Sequence, residues 1–224
     1  VRLPCPPGSP AVEPSPWAGP SNPASPPPWR APWTPVCPAC TTSPRPHARE
    51  ALVTMKGTPV TLEGTSPAPA VGDPAPDFAA VANDLSEKHL SDFRGKVVIL
   101  STVPSLDTKV CDAETRTFNE RASALGDNVV VLTVSMDLPF AQKRWCAAAG
   151  IDRVITLSDS KLRQVGDRYA LRIREHGLLA RAVTVIDPRG IIRYQQIVPE
   201  VATEPNYDAA ISAATGAARA AAGM

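Results

Sequence analysis

The segment PSLDTKVC, Pro104 to Cys111, follows the apolar run VVILSTV and sets a proline, a threonine and a cysteine on one short arc. A cysteine where a strand turns into a helix lies beside free N–H groups that carry partial positive charge and favour an anion. The thiolate is the reactive form of a thiol, so the position suits a nucleophilic sulfur. Thr108 stands three residues before Cys111, close to one helical turn, where its hydroxyl can donate to the thiolate or to an oxygen bound beside it. Pro104 ends the strand and stiffens a loop that shields the sulfur from bulk water. The spacing P-x-x-x-T-x-x-C therefore supplies a rigid wall, a hydroxyl and a nucleophile. Asp112 is an awkward neighbour, since a carboxylate opposes a thiolate unless its side chain points away. Position alone leaves a second reading open, in which Cys111 is a small buried apolar residue.

The elements needed to position that arc can be read from residue 52 onward. VTMKGTPVTLEG reads as a hairpin around Gly57, VGDPAPDFAAVA as a loop feeding a short strand, and KHLSDFRGK as a connector. KVVILSTV, NVVVLTVSMD and VITLSD read as buried strands, each followed by a helical segment. The first helix, CDAETRTFNERASALG, puts Phe118, Ala122 and Leu125 on one face. The second, LPFAQKRWCAAAG, puts Leu138, Ala141, Trp145 and Ala148 on one face, and the third is SKLRQVGDRYA. RAVTVIDPRGIIRYQQIV is a hairpin about Asp187-Pro188-Arg189-Gly190, and an Ala-rich helix closes the domain. Val/Ile strands alternating with helices imply a parallel sheet covered on both faces, to which the last hairpin adds antiparallel strands. The expectation is one α/β domain over residues 52–224.

Residues 1–51 differ in kind. The first fifty residues hold 16 of the 26 prolines and three of the four tryptophans, with no lysine and no periodicity, the signature of a disordered Pro-rich extension. No apolar segment there resembles a secretory signal, and the first methionine is Met55. A fragment, a processed product and a true start near Met55 all fit that composition. The tail also holds Cys37 and Cys40 as C-x-x-C, but neither a second such pair nor a nearby His pair completes a zinc site. His47 falls in this tail, and His89 and His176 fall in expected loops, so no His-based metal or catalytic cluster is expected. The 23 basic and 22 acidic residues leave no field for nucleic acid. Nothing approaches the roughly 18 consecutive apolar residues of a membrane span.

The motifs in order resemble a known family. PSLDTKVC fits the peroxiredoxin active-site pattern, and SMDLPFAQKRWC, Ser135 to Cys146, is similar to the signature of bacterial thiol peroxidases, which are atypical two-cysteine peroxiredoxins. GLLARAVTVID, Gly177 to Asp187, and TEPNYDAAI, Thr203 to Ile211, resemble the same branch, and the likeness runs from about Val53 to Ala218. It implies a thioredoxin-like fold, with a central mixed sheet flanked by helices and preceded by an N-terminal β-hairpin. Cys111 would attack the distal peroxide oxygen, Thr108 would orient the peroxide, Arg181 would hold the thiolate, and Pro104 would shape the pocket. Cys146 would resolve the sulfenic acid as an intramolecular disulfide, which thioredoxin would reduce. Hydrogen peroxide and alkyl or lipid hydroperoxides would be the substrates, and the protein would be a homodimer in the cytoplasm. No cofactor is expected, since the chemistry needs only thiols and a reductant.

Two other readings compete. A thioredoxin-type dithiol oxidoreductase needs C-x-x-C at the strand-to-helix turn, where this chain has Thr108-Lys109-Val110 before Cys111. A non-enzymatic module that recruits partners through its Pro-rich tail sits poorly with intact Cys111, Thr108 and Arg181. Cys146 lies on a helix next to that of Cys111, so closing a disulfide requires local unwinding.

Overall fold

The computed structural model describes residues 47–122 and 124–222. A hairpin of β1 (His47–Met55) and β2 (Thr58–Gly64) comes first, then β3 (Ala79–Ala82), β4 (Glu87–His89) and a 3-10 turn over Leu90–Phe93. The centre of the chain runs β5 (Val97–Thr102), α1 (Lys109–Ala122), β6 (Val129–Ser135), α2 (Pro139–Ala149) and β7 (Val154–Ser158). It ends with α3 (Gln164–Arg168), β8 (Arg172–Ile173), β9 (Leu178–Leu179), β10 (Ala182–Ile186), β11 (Ile192–Ile197) and α4 (Tyr207–Ala222).

Seven strands form one mixed sheet in the order β11-β10-β5-β6-β7-β3-β4. The three Val/Ile runs β5, β6 and β7 are its parallel centre. β5 is buried along its whole length, as a strand covered on both faces must be. Its alternate residues serve different cores. Val98 and Leu100 pack with α3 and the small sheet β1-β2-β8-β9, whereas Val97 and Ile99 pack with Phe118 of α1 and with Ala210 and Ala214 of α4. The Phe118 and Tyr207 rings meet edge to face at 5.3 Å, joining α1 to α4.

The parallel register sets Ser101, Thr133 and Thr156 in one row across β5, β6 and β7. This buried polar row lies on the face covered by α1 and α2, and the Thr133 hydroxyl at its centre has no hydrogen-bond partner. The final hairpin turns at Gly190, whose φ of +86° is a left-handed value that glycine reaches at little cost.

Three details differ from the sequence reading. The boundary at residues 51 and 52 falls inside β1, which pairs with β2 from His47 onward. Proline density ends at Pro46, and every residue from there to Met55 offers the N–H a strand needs. The remainder of the Pro-rich extension, with Cys37 and Cys40, lies outside the described residues. His47 and His89 accordingly sit in strands rather than in tail or loop. The third helix is five residues long instead of eleven. Asp159 explains it, because its carboxylate accepts the N–H groups of Val165 and Gly166, and the chain takes a left-handed step at Arg163 to present them.

The inward face of α2 is also not the apolar one. Pro139 and Gln142 are buried, whereas Leu138 is exposed and Trp145 half-buried. Gln142 donates to Ser135 Oγ and to the Leu157 carbonyl, both at 2.9 Å, so the polar ends of β6 and β7 select the amide over an apolar side chain.

Candidate active site

Cys111 is the third residue of α1 and is fully buried with Val103 and Leu106, with Trp145 packed against that group. Thr108 occupies the N-cap position, since its carbonyl accepts the first helical bond, from Asp112 N at 2.9 Å. Its hydroxyl lies 2.8 Å from Cys111 Sγ and 3.1 Å from the Ser105 carbonyl. With one proton to donate, it can serve only one of them at a time, and Thr108 is exposed. Pro104 is buried two residues beyond the end of β5.

Arg181 reaches the same sulfur from the residue before β10, with Nη2 at 3.1 Å from Cys111 Sγ. The fold delivers it in two steps: Ala182 pairs with Thr102 at the end of β5, and the Thr102 hydroxyl donates to the Ala180 carbonyl at 2.8 Å. The other guanidinium edges are taken as well. Nε donates to the Val201 carbonyl at 2.9 Å and Nη1 donates to Glu114, so the plane has a single orientation. Burial works against the charge on Arg181, but Glu114 and the Cys111 sulfur outweigh it and hold its pKa above the ordinary arginine value. Burial also pushes the Glu114 carboxyl up, opposed by Arg181 and by the Ser101 hydroxyl, which donates to it at 2.6 Å.

The Asp112 carboxylate does point away. It accepts from Arg116 Nε and from Trp145 Nε1, both at 3.0 Å, and thereby ties α1 to α2. Arg116 also donates to the Ala149 carbonyl at 3.0 Å.

Cys146 is not in this cluster. Its sulfur is half-buried against β7 and the end of β3, 3.3 Å from Thr156 Oγ1 and 3.8 Å from Asn83 Nδ2. Both cysteines are free thiols. Thr156 is on β7 and the Cys111 cluster is at the end of β5, two strand spacings apart, or roughly 10 Å. Thus Cys111, Thr108 and Arg181 come together as the spacing and the resemblance implied, Pro104 borders them, and Cys146 stands off.

Two acidic residues complete the site and were not singled out from the sequence. Glu114 orients Arg181, and its signal was a charge three residues after Cys111 on the face that carries Phe118 inward. Asp137, just beyond β6, accepts Ser105 Oγ and Leu106 N, each at 2.8 Å, and so anchors the loop before Cys111. The parallel arrangement of β5 and β6 was its signal, because their C-terminal ends lie at one edge of the sheet.

Among the described residues no group of His, Cys, Asp and Glu is placed to hold a metal ion, and no helix is long and apolar enough to cross a membrane. A family model for redoxins matches residues 70–211. A thiol peroxidase from Oceanobacillus iheyensis is 55% identical over 160 residues, covering 71% of this chain and 96% of that protein. One from Bacillus subtilis is 52% identical over 164 residues, covering 73% and 96%. A solved peroxiredoxin-like protein from Aquifex aeolicus superposes with a TM-score of 0.69 at 43% identity, covering 76% of this chain and 98% of its own. The chain belongs to the redoxin family, among the thiol peroxidases.

Proposed function

We propose that this thiol-dependent peroxidase reduces hydrogen peroxide and alkyl or lipid hydroperoxides with Cys111 as its nucleophile and Cys146 as its resolving thiol. The observation that carries the reading is the contact of one buried sulfur with both a guanidinium N–H, at 3.1 Å, and a hydroxyl, at 2.8 Å. After losing its proton, Cys111 attacks the distal oxygen of ROOH. The O–O bond breaks, leaving Cys111 as a sulfenic acid and RO⁻, which takes a proton and departs as the alcohol. Negative charge shifts from sulfur to the leaving oxygen during this step. Arg181, already oriented by Glu114 and the Val201 carbonyl, meets that charge without reorganising. Thr108 can turn its proton from the sulfur to a peroxide oxygen, and Pro104 walls the loop. Val103, Leu106 and Trp145 around the sulfur suit an apolar R group.

The thiol of Cys146 then displaces the sulfenic hydroxyl, giving an intramolecular disulfide and water. Thioredoxin returns both thiols by exchange and is itself oxidised. A cytoplasmic setting agrees with a cycle that draws on reduced thioredoxin. Leu138 and Phe140, 60% and 66% exposed where α2 begins, favour a homodimer that covers them.

Thioredoxin-coupled consumption of cumene hydroperoxide, wild type beside Cys111→Ser, tests this reading. Turnover is expected in the wild type and none in the variant; equal turnover in both would remove Cys111 from the chemistry.

A further inference from the structure

Cys146 is not simply idle between turnovers, because its sulfur has a berth of its own. Thr156 Oγ1 lies 3.3 Å from Sγ, and Asn83 Nδ2 donates to Thr156 Oγ1 at 2.9 Å while standing 3.8 Å from the sulfur. Since Asn83 supplies a proton to the Thr156 oxygen, the hydroxyl keeps its own proton for sulfur and a lone pair for a thiol S–H. The opposite end of the amide is not held elsewhere, since Asn83 Oδ1 is buried and has no hydrogen-bond partner. The Asn83 backbone is fixed where the β3–β4 turn begins, with Ala82 N donating to the Ser86 carbonyl at 2.8 Å and Leu85 N to the Ala82 carbonyl at 2.9 Å. Thr156 is central in β7 and only 3% exposed, so neither partner can follow Cys146 when α2 opens.

We propose that Thr156 and Asn83 are positioning residues that hold Cys146 in its reduced place and thereby set how fast it leaves to meet the Cys111 sulfenic acid. The proposal rests on Cys146 being the resolving thiol. Its consequence is a partition. A longer stay in the berth leaves the sulfenic acid exposed to a second peroxide, which carries it to sulfinic acid with loss of one alcohol or water. A shorter stay favours the disulfide.

Stopped-flow tryptophan fluorescence in a background with Trp17, Trp29 and Trp33 replaced by Phe, which leaves the signal to Trp145 beside the Cys111 cluster and Cys146, can separate the two steps. The first phase depends on peroxide concentration and reports oxidation; the second does not and reports resolution. Thr156→Val is expected to leave the first phase unchanged, to speed the second by about twofold to tenfold, the worth of one net hydrogen bond, and to lower the sulfinic fraction at high peroxide. Thr156→Ser, which keeps the hydroxyl, should restore the wild-type rate. A second phase in Thr156→Val that is unchanged or slower overturns the proposal. If that variant does not fold, Asn83→Ala at the half-buried turn decides in the same way. Cys146→Ser separates this outcome from failure of the underlying reading. A disulfide that survives at Cys111 in that variant would show that another thiol resolves it, whereas a lost Cys111 disulfide with insensitive Thr156 and Asn83 variants would sink the berth alone.

Discussion

The two cysteines of the folded domain share a side chain and little else. Cys111 sits at a loop-to-helix junction, fully buried, with a charged donor and a hydroxyl on its sulfur and a second tier of Glu114, Ser101 and Val201 behind them. Cys146 sits within a helix, half-buried, beside a neutral hydroxyl and a neutral amide. Charge-assisted hydrogen bonds are roughly twice as strong as neutral ones, so the first sulfur is firmly fixed by its partners while the second is held only weakly. The difference fits the proposed roles: the sulfur proposed to meet a peroxide at a set geometry is clamped, and the one proposed to travel is not.

That comparison can be broken most forcefully at Arg181. Arg181→Lys keeps the charge but cannot reach Cys111, Glu114 and the Val201 carbonyl together, and the peroxide-dependent rate should fall by about a hundredfold. A change below about threefold would mean that charge alone suffices. Thr108→Val removes the hydroxyl proton that lies between the Cys111 sulfur and the Ser105 carbonyl. A fall of about tenfold in kcat/KM is expected from steady-state kinetics, with the fold intact by circular dichroism. Glu114→Gln replaces the charge-assisted bond to Arg181 with a neutral one and should cost about fivefold in the first stopped-flow phase without altering the resolution phase. If resolution changed instead, the second tier would serve both thiols and the contrast between them would fail.

The smallest effect concerns the turn behind Arg181. Glu200 precedes Val201, and its carboxylate accepts N–H groups from Gly57, Ala202 and Lys56 and the Thr54 hydroxyl, which lowers its pKa to about 2. A carboxyl depressed on folding contributes stability above its ordinary value, and that contribution is lost as pH falls from about 4.5 toward 2. Urea titrations of Glu200→Gln against wild type should therefore converge at the acid end of that window and separate above it.

Much of the first thiol's surroundings could be read from residue types. The arc from Pro104 to Cys111 is local, and Arg181 stands at the entry of a buried strand, where a charge is conspicuous. The second thiol's surroundings were illegible for a physical reason. Asn83 and Thr156 are common residue types lying 63 residues before and 10 residues after Cys146, joined to it only by the order β6-β7-β3. Asp137 was hidden in the same way, 32 residues from Ser105 in the chain and adjacent in the sheet. The face of α2 was misread because hydrophobicity is a poor guide where the surface beneath is polar, as Gln142 shows. The strands, by contrast, announced themselves, because a sheet covered on both sides leaves little choice but Val, Ile and Leu.

The most direct test of the central claim is to treat the Cys146→Ser protein with one equivalent of cumene hydroperoxide, trap the product with a sulfenic-acid reagent and map the peptides by mass. The adduct is predicted on the peptide containing Cys111. An unmodified Cys111, with the adduct on Cys5, Cys37 or Cys40 or nowhere, would contradict the account.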